Sequence, residues 1–172
     1  MKQLGSILRP SSITLAGPIR WNRWLIVGLA AVFIAALFSI RYRLVWVVGN
    51  SMRPSLRTGD LVVVDKFAYR HQSPSRGDLV VARYRGELLV KRVMGLPGER
   101  IEVRHGLVEI DGVRPVANFE VEPGWLDIAP GILMNDRYAI LGDNRSIDAS
   151  SFIHAVVSSS QIVGKVAWAV KW

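Results

Sequence analysis

Residues 85–98 read Arg85-Gly86-Glu87-Leu88-Leu89-Val90-Lys91-Arg92-Val93-Met94-Gly95-Leu96-Pro97-Gly98. A glycine turn opens the stretch, an apolar run with β-branched residues fills it, and the segment from Gly95 to Gly98 breaks it. That is the pattern of a strand, not of a helix. Lys91 is the unusual residue in the run. Strand alternation sets it on the face opposite Val90 and Arg92, where it either snorkels to water or points into a poorly hydrated site. In the second case lost hydration disfavours the ammonium, and the neutral amine becomes accessible near neutral pH. A proton acceptor working at pH 7–8 needs a fall of about two to three units from about 10.4, each worth about 1.4 kcal/mol. Burial among Leu88, Leu89, Val90 and Val93 is a sufficient source.

Outward from this stretch the same pattern recurs. Short β-type runs cover residues 44–48, 61–64, 79–81, 101–103, 138–141 and 162–170, separated by turn signals such as Gly59-Asp60 and Arg76-Gly77-Asp78. His105-Gly106 and Asp111-Gly112 read as tight hairpin turns. There is no amphipathic helix and no internal repeat. The expectation is an all-β, antiparallel, barrel-like domain over residues 44–172. Within it, residues 116–136, with their glutamates, prolines and Trp125, are expected to form an irregular insertion. Residues 1–20 mix Gly, Pro, Ser and bases without a period and are expected to be disordered.

Residues 24–40 read WLIVGLAAVFIAALFSI without one charge. As a helix this run is about 25 Å long, slightly short of a hydrocarbon core of about 30 Å. Trp21, Tyr42 and Trp46 extend it at the interfaces. A cleaved signal peptide calls for small residues before the cut, and Phe38-Ser39-Ile40-Arg41 lacks them. A buried globular helix calls for a polar face, and this run has none. An uncleaved membrane anchor over 21–43 is the expectation. Bases flank the span on both sides, so charge gives no orientation.

Composition closes off other chemistries. The chain has 172 residues, half of them hydrophobic, enough for one domain and an appended element. Cysteine is absent, which excludes disulfides, thiolate nucleophiles and thiolate metal sites. His71, His105 and His154 are scattered without ligand spacing, so no metal is expected. The formal charge of +8 fits anionic membrane lipids as partners. The bases are dispersed among strand-like segments, so nucleic acid is not expected as a partner.

Two further segments carry chemistry. Ser51 stands in Gly49-Asn50-Ser51-Met52-Arg53-Pro54-Ser55-Leu56, a turn that exposes a hydroxyl and leaves backbone N–H groups to bind an oxyanion. A serine in such a loop is ordinarily a turn residue. A neutral amine beside its hydroxyl makes it a nucleophile with a general base. The third segment is Gly142-Asp143-Asn144-Arg145-Ser146-Ile147-Asp148-Ala149-Ser150. It reads either as a polar loop built on Asx turns or as a loop that orients the lysine. Asn144-Arg145-Ser146 also fits a glycosylation sequon.

The three segments in this order resemble the type I signal peptidase family, the membrane-anchored serine–lysine proteases. The first matches that family's Ser-Met-x-Pro-Thr/Ser-Leu box, followed by Gly59-Asp60. Gly77-Asp78 and the run from Lys91 to Gly98 match its Gly-Asp…Lys-Arg-Val-x-Gly-Leu-Pro-Gly box. Gly142-Asp143-Asn144-Arg145 opens like its third box, and Ile162-Val163-Gly164-Lys165-Val166 looks like its last strand. The likeness covers roughly residues 45–172 and the preceding anchor.

The resemblance implies a catalytic pair, Ser51 as nucleophile and Lys91 as general base, with no cofactor. It implies that Ser51's own amide is one oxyanion donor, that Ser146 hydrogen-bonds the lysine amine, and that Asp148 buttresses the loop. It implies signal-peptide-bearing pre-proteins as partners, with small residues one and three positions before the cut. It places the catalytic domain on the outer face of the cell membrane, with Met52 against the lipid. The chain also departs from the pattern. Gly49 stands where some members carry a second oxyanion serine. The third box is two residues short, so its terminal arginine falls at Ser150; Arg92 or Arg145 is left to substitute, and Ser150 or Ser151 is an alternative to Ser146. Three rival readings remain: a specialised maturation peptidase with one dedicated precursor, a self-cleaving repressor, and a non-catalytic membrane-tethered domain that binds extended peptides. The repressor requires an amino-terminal DNA-binding motif, and an apolar span occupies that place.

Overall fold

The computed structural model describes residues 22–146 and 154–172. The expected disorder of residues 1–20 and the position of Asp148, Ser150 and Ser151 lie outside them.

Arg23–Arg41 forms helix α1, about 28 Å long at the usual rise. Its amino end is capped by Asn22, whose Oδ1 accepts the Trp24 N–H at 3.2 Å. The helix has a mean hydropathy of 2.2 and no buried residue, which makes it long and apolar enough to cross a membrane. The boundary between the two compact units of the chain, 1–36 and 37–172, falls within it.

The rest is antiparallel β-structure. Strands β1 (Tyr42–Trp46), β2 (Leu61–Asp65), β3 (Leu79–Tyr84) and β4 (Glu87–Gly95) come first. They are followed by β5 (Arg100–Arg104), β6 (Leu107–Ile110), β7 (Ile128–Ile132), β8 (Arg137–Leu141), β9 (His154–Ser158) and β10 (Ile162–Val170). A seven-stranded sheet has the order β1-β2-β10-β3-β4-β8-β9, and a three-stranded sheet the order β6-β5-β7. The turn at Asp111-Gly112 has positive φ at both residues (50° and 80°), the geometry for which an Asp-Gly pair is preferred.

The central strands are covered on both faces. Val81 and Val90, paired across β3 and β4, pack with Val47, Met52, Leu56, Val62 and Val64. Val80 and Val93 pack instead with Tyr138, Ile140, Ala155 and Val157. Neighbours Val80 and Val81 therefore point to opposite faces and are both fully buried. This explains why the first half of β3 reads as a continuous apolar run without alternation. In β4, every residue from Val90 to Gly95 is buried, Lys91 and Arg92 included.

Two strands fall where the sequence pattern gave no sign of them. β7 lies inside the expected irregular stretch 116–136 and pairs with β5. It contains Pro130 and Gly131, which depress strand propensity but are tolerated because β7 is an edge strand. β9 pairs with β8 in register from Arg137↔Ser158 to Leu141↔His154. Its five residues, His-Ala-Val-Val-Ser, hold only two strong β-formers.

Truncating Ile140 to alanine removes a fully buried side chain from the packing between β8, β9 and β3. The expected loss is about 2–5 kcal/mol, read as a lower midpoint in chemical denaturation with an unchanged m-value.

Candidate active site

Ser51 is carried by a turn that leaves the β1 edge after Val48. The turn is closed by the Arg53 amide to the Asn50 carbonyl (3.2 Å) and the Leu56 amide to the Met52 carbonyl (2.8 Å). Met52 and Leu56, 1% and 2% exposed, anchor it in the core. This corrects the expectation that Met52 meets lipid; the exposed apolar side chains nearby are Trp46 and Val48.

Lys91 comes from the middle of β4, opposite Val80 on β3. Its Nζ lies 2.5 Å from Ser51 Oγ. Burial pushes the ammonium down from 10.5 to about 8, with the Asp143 carboxylate acting in the opposite direction. The amine is therefore substantially neutral at mildly alkaline pH. A neutral amine at this distance accepts the serine proton; an ammonium only donates to the oxygen.

Arg92, the next residue, is also buried and cannot shed its charge. It is met by four hydrogen bonds. Nε and Nη2 donate to the two carboxylate oxygens of Asp143 at 2.8 and 2.6 Å, Nη1 donates to the Gly77 carbonyl at 2.8 Å, and Nη2 also reaches Ser55 Oγ at 3.1 Å. The Phe119 ring lies over the guanidinium at 3.9 Å. A bidentate pair this dry is strong in geometry and costly to break. It also ties the Gly77-Asp78 turn, β4 and the loop at 142–146 to one point. Asp78 in turn accepts from Lys165 Nζ at 2.7 Å and from the Tyr69 hydroxyl at 2.8 Å, linking the turn to β10.

The loop at 142–146 is stitched to the Ser51 turn by Asn144. Its amide donates to the Ser51 carbonyl (3.0 Å) and its Nδ2 to the Asn50 carbonyl (3.2 Å). Its Oδ1 accepts both the Ser146 amide and the Ser146 hydroxyl, at 3.0 and 2.6 Å. The Ser146 hydroxyl donates its hydrogen to Asn144, and no hydrogen bond joins it to Lys91 among the described residues. Of the two candidates for the missing arginine, Arg92 takes the carboxylate. Arg145 is buried, with Nε and Nη1 lacking partners among the described residues, and burial lowers it to about 10.

Sequence reasoning missed the contribution of the segment before β7. Glu122 donates its amide to the Asp143 carbonyl and accepts the Arg145 amide, bridging Asn144. Gly124 makes this approach possible: a Cβ there would stand 1.9 Å from the Arg145 carbonyl oxygen. The signal available in the sequence was a glycine inside an otherwise bulky, acidic stretch. No cluster of metal-ligating side chains exists among the described residues.

An open cleft of about 990 Å³ runs over the pair, with the residues 45–53 as one wall and 87–91 as the other. Both walls are free strand edges: β1 pairs only with β2, and β8 joins β4 only from Arg92 onward, among the described residues. An antiparallel β-domain with a serine hydroxyl and a desolvated amine at the floor of such a cleft has the parts of a serine–lysine hydrolase.

The comparisons narrow the class. The signal peptidase family, peptidase S26, matches residues 19–172. The chain belongs to that family and is a serine endopeptidase. A probable signal peptidase I-2 of Synechocystis sp. is 29% identical over 157 residues, 84% of this chain and 72% of that protein. Signal peptidase I of Leptolyngbya laminosa is 29% identical over 149 residues, 81% and 73% of the two chains. Signal peptidase IB of Staphylococcus aureus is 25% identical over 169 residues, 87% of each. The crystal structure of a signal peptidase I from Enterococcus faecalis is 24% identical, with a TM-score of 0.45 over 56% of this chain and 98% of that one.

Replacing Asp143 by alanine leaves the Arg92 guanidinium buried without its counter-ion. The expected cost is about 3–5 kcal/mol, seen as a lower Tm. Replacing Arg92 and Asp143 together by apolar residues is expected to recover part of that loss.

Proposed function

We propose that this protein removes amino-terminal signal segments from translocated pre-proteins, with Ser51 as nucleophile and Lys91 as general base. The observation that carries the assignment of roles is the 2.5 Å approach of a buried amine to Ser51 Oγ. The substrate lies extended between the two free edges and completes the sheet through main-chain hydrogen bonds. Val45, Val47 and Val90 give the cleft wall an apolar surface that suits small apolar residues before the cut. Lys91 takes the hydroxyl proton as Ser51 attacks the scissile carbonyl, and the Ser51 amide stabilises the oxyanion. The lysine then protonates the leaving amine. The acyl-enzyme is hydrolysed by a water that Lys91 deprotonates in turn.

Helix α1 anchors the catalytic domain to the membrane from its outer side. The family membership and the apolar helix support this placement; flanking charge adds nothing to it.

Ser51→Ala and Lys91→Ala are each expected to lower cleavage of a pre-protein by a factor on the order of 10⁴–10⁶, with thermal unfolding preserved. Sequencing the new amino terminus of the product locates the cut. Turnover retained in either variant rules out the assignment.

The pH dependence has a definite sign. The working form of Lys91 is the free amine, and its ammonium titrates at about 8. kcat/KM is therefore expected to rise with pH and level off above about 8, falling tenfold per unit below it. A flat profile between pH 6 and 9 excludes Lys91 as the base.

A further inference from the structure

In the cleavage reading the Ser51 amide is the oxyanion donor, and such a donor acts only if it is aimed. The Ser51 N–H shares a peptide with the Asn50 carbonyl, and that peptide is trans. The two groups therefore point in opposite directions, and whatever holds the carbonyl sets the direction of the N–H. Two donors meet the Asn50 carbonyl. The Arg53 amide reaches it at 3.2 Å from within the turn, and Asn144 Nδ2 reaches it at 3.2 Å from outside. The Asn144 backbone amide holds the next carbonyl, that of Ser51, at 3.0 Å. One residue thus grips two successive peptides, those before and after the Ser51 Cα. Among the described residues no backbone acceptor takes the Ser51 N–H, which is left for a ligand.

Asparagine is fitted to this place by its chemistry. Its Oδ1 accepts the Ser146 amide at 3.0 Å, and a backbone amide can only donate. The other end of the side chain meets the Asn50 carbonyl, which can only accept. These two neighbours fix which end is which. Aspartate would serve only the first of them, and alanine neither. The mount is rigid as well. Asn144 is 4% exposed. The residues on either side of it, Asp143 and Arg145, are hydrogen-bonded through their backbones to Glu122 at 3.0 and 2.8 Å, and Asp143 also carries the Arg92 pair. A group held this way imposes its geometry on the turn and does not follow it.

We propose that Asn144 is a positioning residue: by holding the Asn50 carbonyl, its side-chain amide aims the Ser51 N–H at the oxygen that gains charge during acyl transfer. The inference rests on the cleavage reading above and adds to it the device that sets the oxyanion donor. The role is separable from folding of the turn. Without the side-chain amide, the backbone grip on Ser51 and the Arg53–Asn50 bond remain, and the peptide loses one of its two restraints.

The test uses the full chain in detergent micelles, a peptide spanning a pre-protein cut site, and a peptide aldehyde with the same residues before the cut. The Ser51 hydroxyl adds across the aldehyde carbonyl, its proton passing to the former carbonyl oxygen, and that oxygen occupies the oxyanion site. The matching peptide alcohol binds without adding. The variants are Asn144→Ala, which removes both arms of the side chain, and Asn144→Asp, which keeps the acceptor. kcat is read on the alkaline plateau, so that a shift of the Lys91 midpoint does not enter it. Each variant is expected to lower kcat about 10²-fold, the scale of a misplacement of about 1 Å at a reacting centre, with KM unchanged. Aldehyde affinity is expected to fall by a similar factor while alcohol affinity holds. Ile140→Ala, which lowers stability without touching the turn, is expected to keep its kcat. A plateau kcat unchanged in both Asn144 variants overturns the proposal. So does a rise in KM with kcat intact, a parallel loss of aldehyde and alcohol affinity, or an equal fall of kcat in Ile140→Ala. Failure of both Asn144 variants to fold assigns the residue to the fold alone and overturns it too. If the native chain neither cleaves the peptide nor adds to the aldehyde, the cleavage reading itself fails. Native cleavage that is indifferent to Asn144 overturns the positioning proposal alone.

Discussion

Strand β4 is covered on both faces, and two cations sit next to each other within it. Everything else at the site answers that constraint. A strand of this kind ordinarily carries only apolar residues, and each buried charge must be paired or lost. The two side chains solve the problem differently because their chemistry differs. A guanidinium stays charged at any accessible pH, so Arg92 requires a carboxylate with matching geometry, and Asp143 provides one in bidentate form. An ammonium can give up its proton, so Lys91 needs no counter-ion and its pKa falls instead. Exchanging the two residues would leave the site with a permanently charged group beside Ser51.

Asp143 couples the two solutions. By compensating Arg92 it keeps a negative charge within reach of Lys91, and that charge opposes the effect of burial on the lysine. The amine is therefore held near 8 and not driven far below it. A base much weaker than this would be neutral at every relevant pH but would accept a proton poorly; one near 10.5 would be almost wholly protonated. The same carboxylate fixes the loop whose Asn144 grips the Ser51 carbonyl. The proton affinity of Lys91 and the position of Ser51 are thus both tied to one buried ion pair, although an ion pair adds little to stability by itself.

The all-β character, the helix and the pairing of Ser51 with Lys91 were legible in the sequence because each rests on local pattern or on long contiguous boxes. Lys91 stood out, with Arg92 beside it, as a charged residue in an otherwise apolar run. What was not legible depends on contacts distant in the chain. Nothing local distinguishes Arg92 from Arg145 as the partner of a carboxylate; their surroundings decide, and only Arg92 meets Asp143. The Ser146 hydroxyl has an acceptor two residues away in Asn144, and such a local bond competes with any longer reach. β7 was hidden by Pro130 and Gly131, whose low propensity an edge position tolerates. The segment before it reads only as an irregular insertion because its contacts are made by backbone groups of Glu122 and by the missing side chain of Gly124.

The two free strand edges complete the argument. Exposed edges invite pairing with other chains and are usually blocked by bulges, charges or covering segments. Among the described residues β1 and the first half of β4 are left open and line one cleft together with Ser51 and Lys91. An extended peptide entering that gap satisfies both rows of backbone groups whatever its side chains. Main-chain recognition of this kind would leave discrimination to the few side chains that line the cleft.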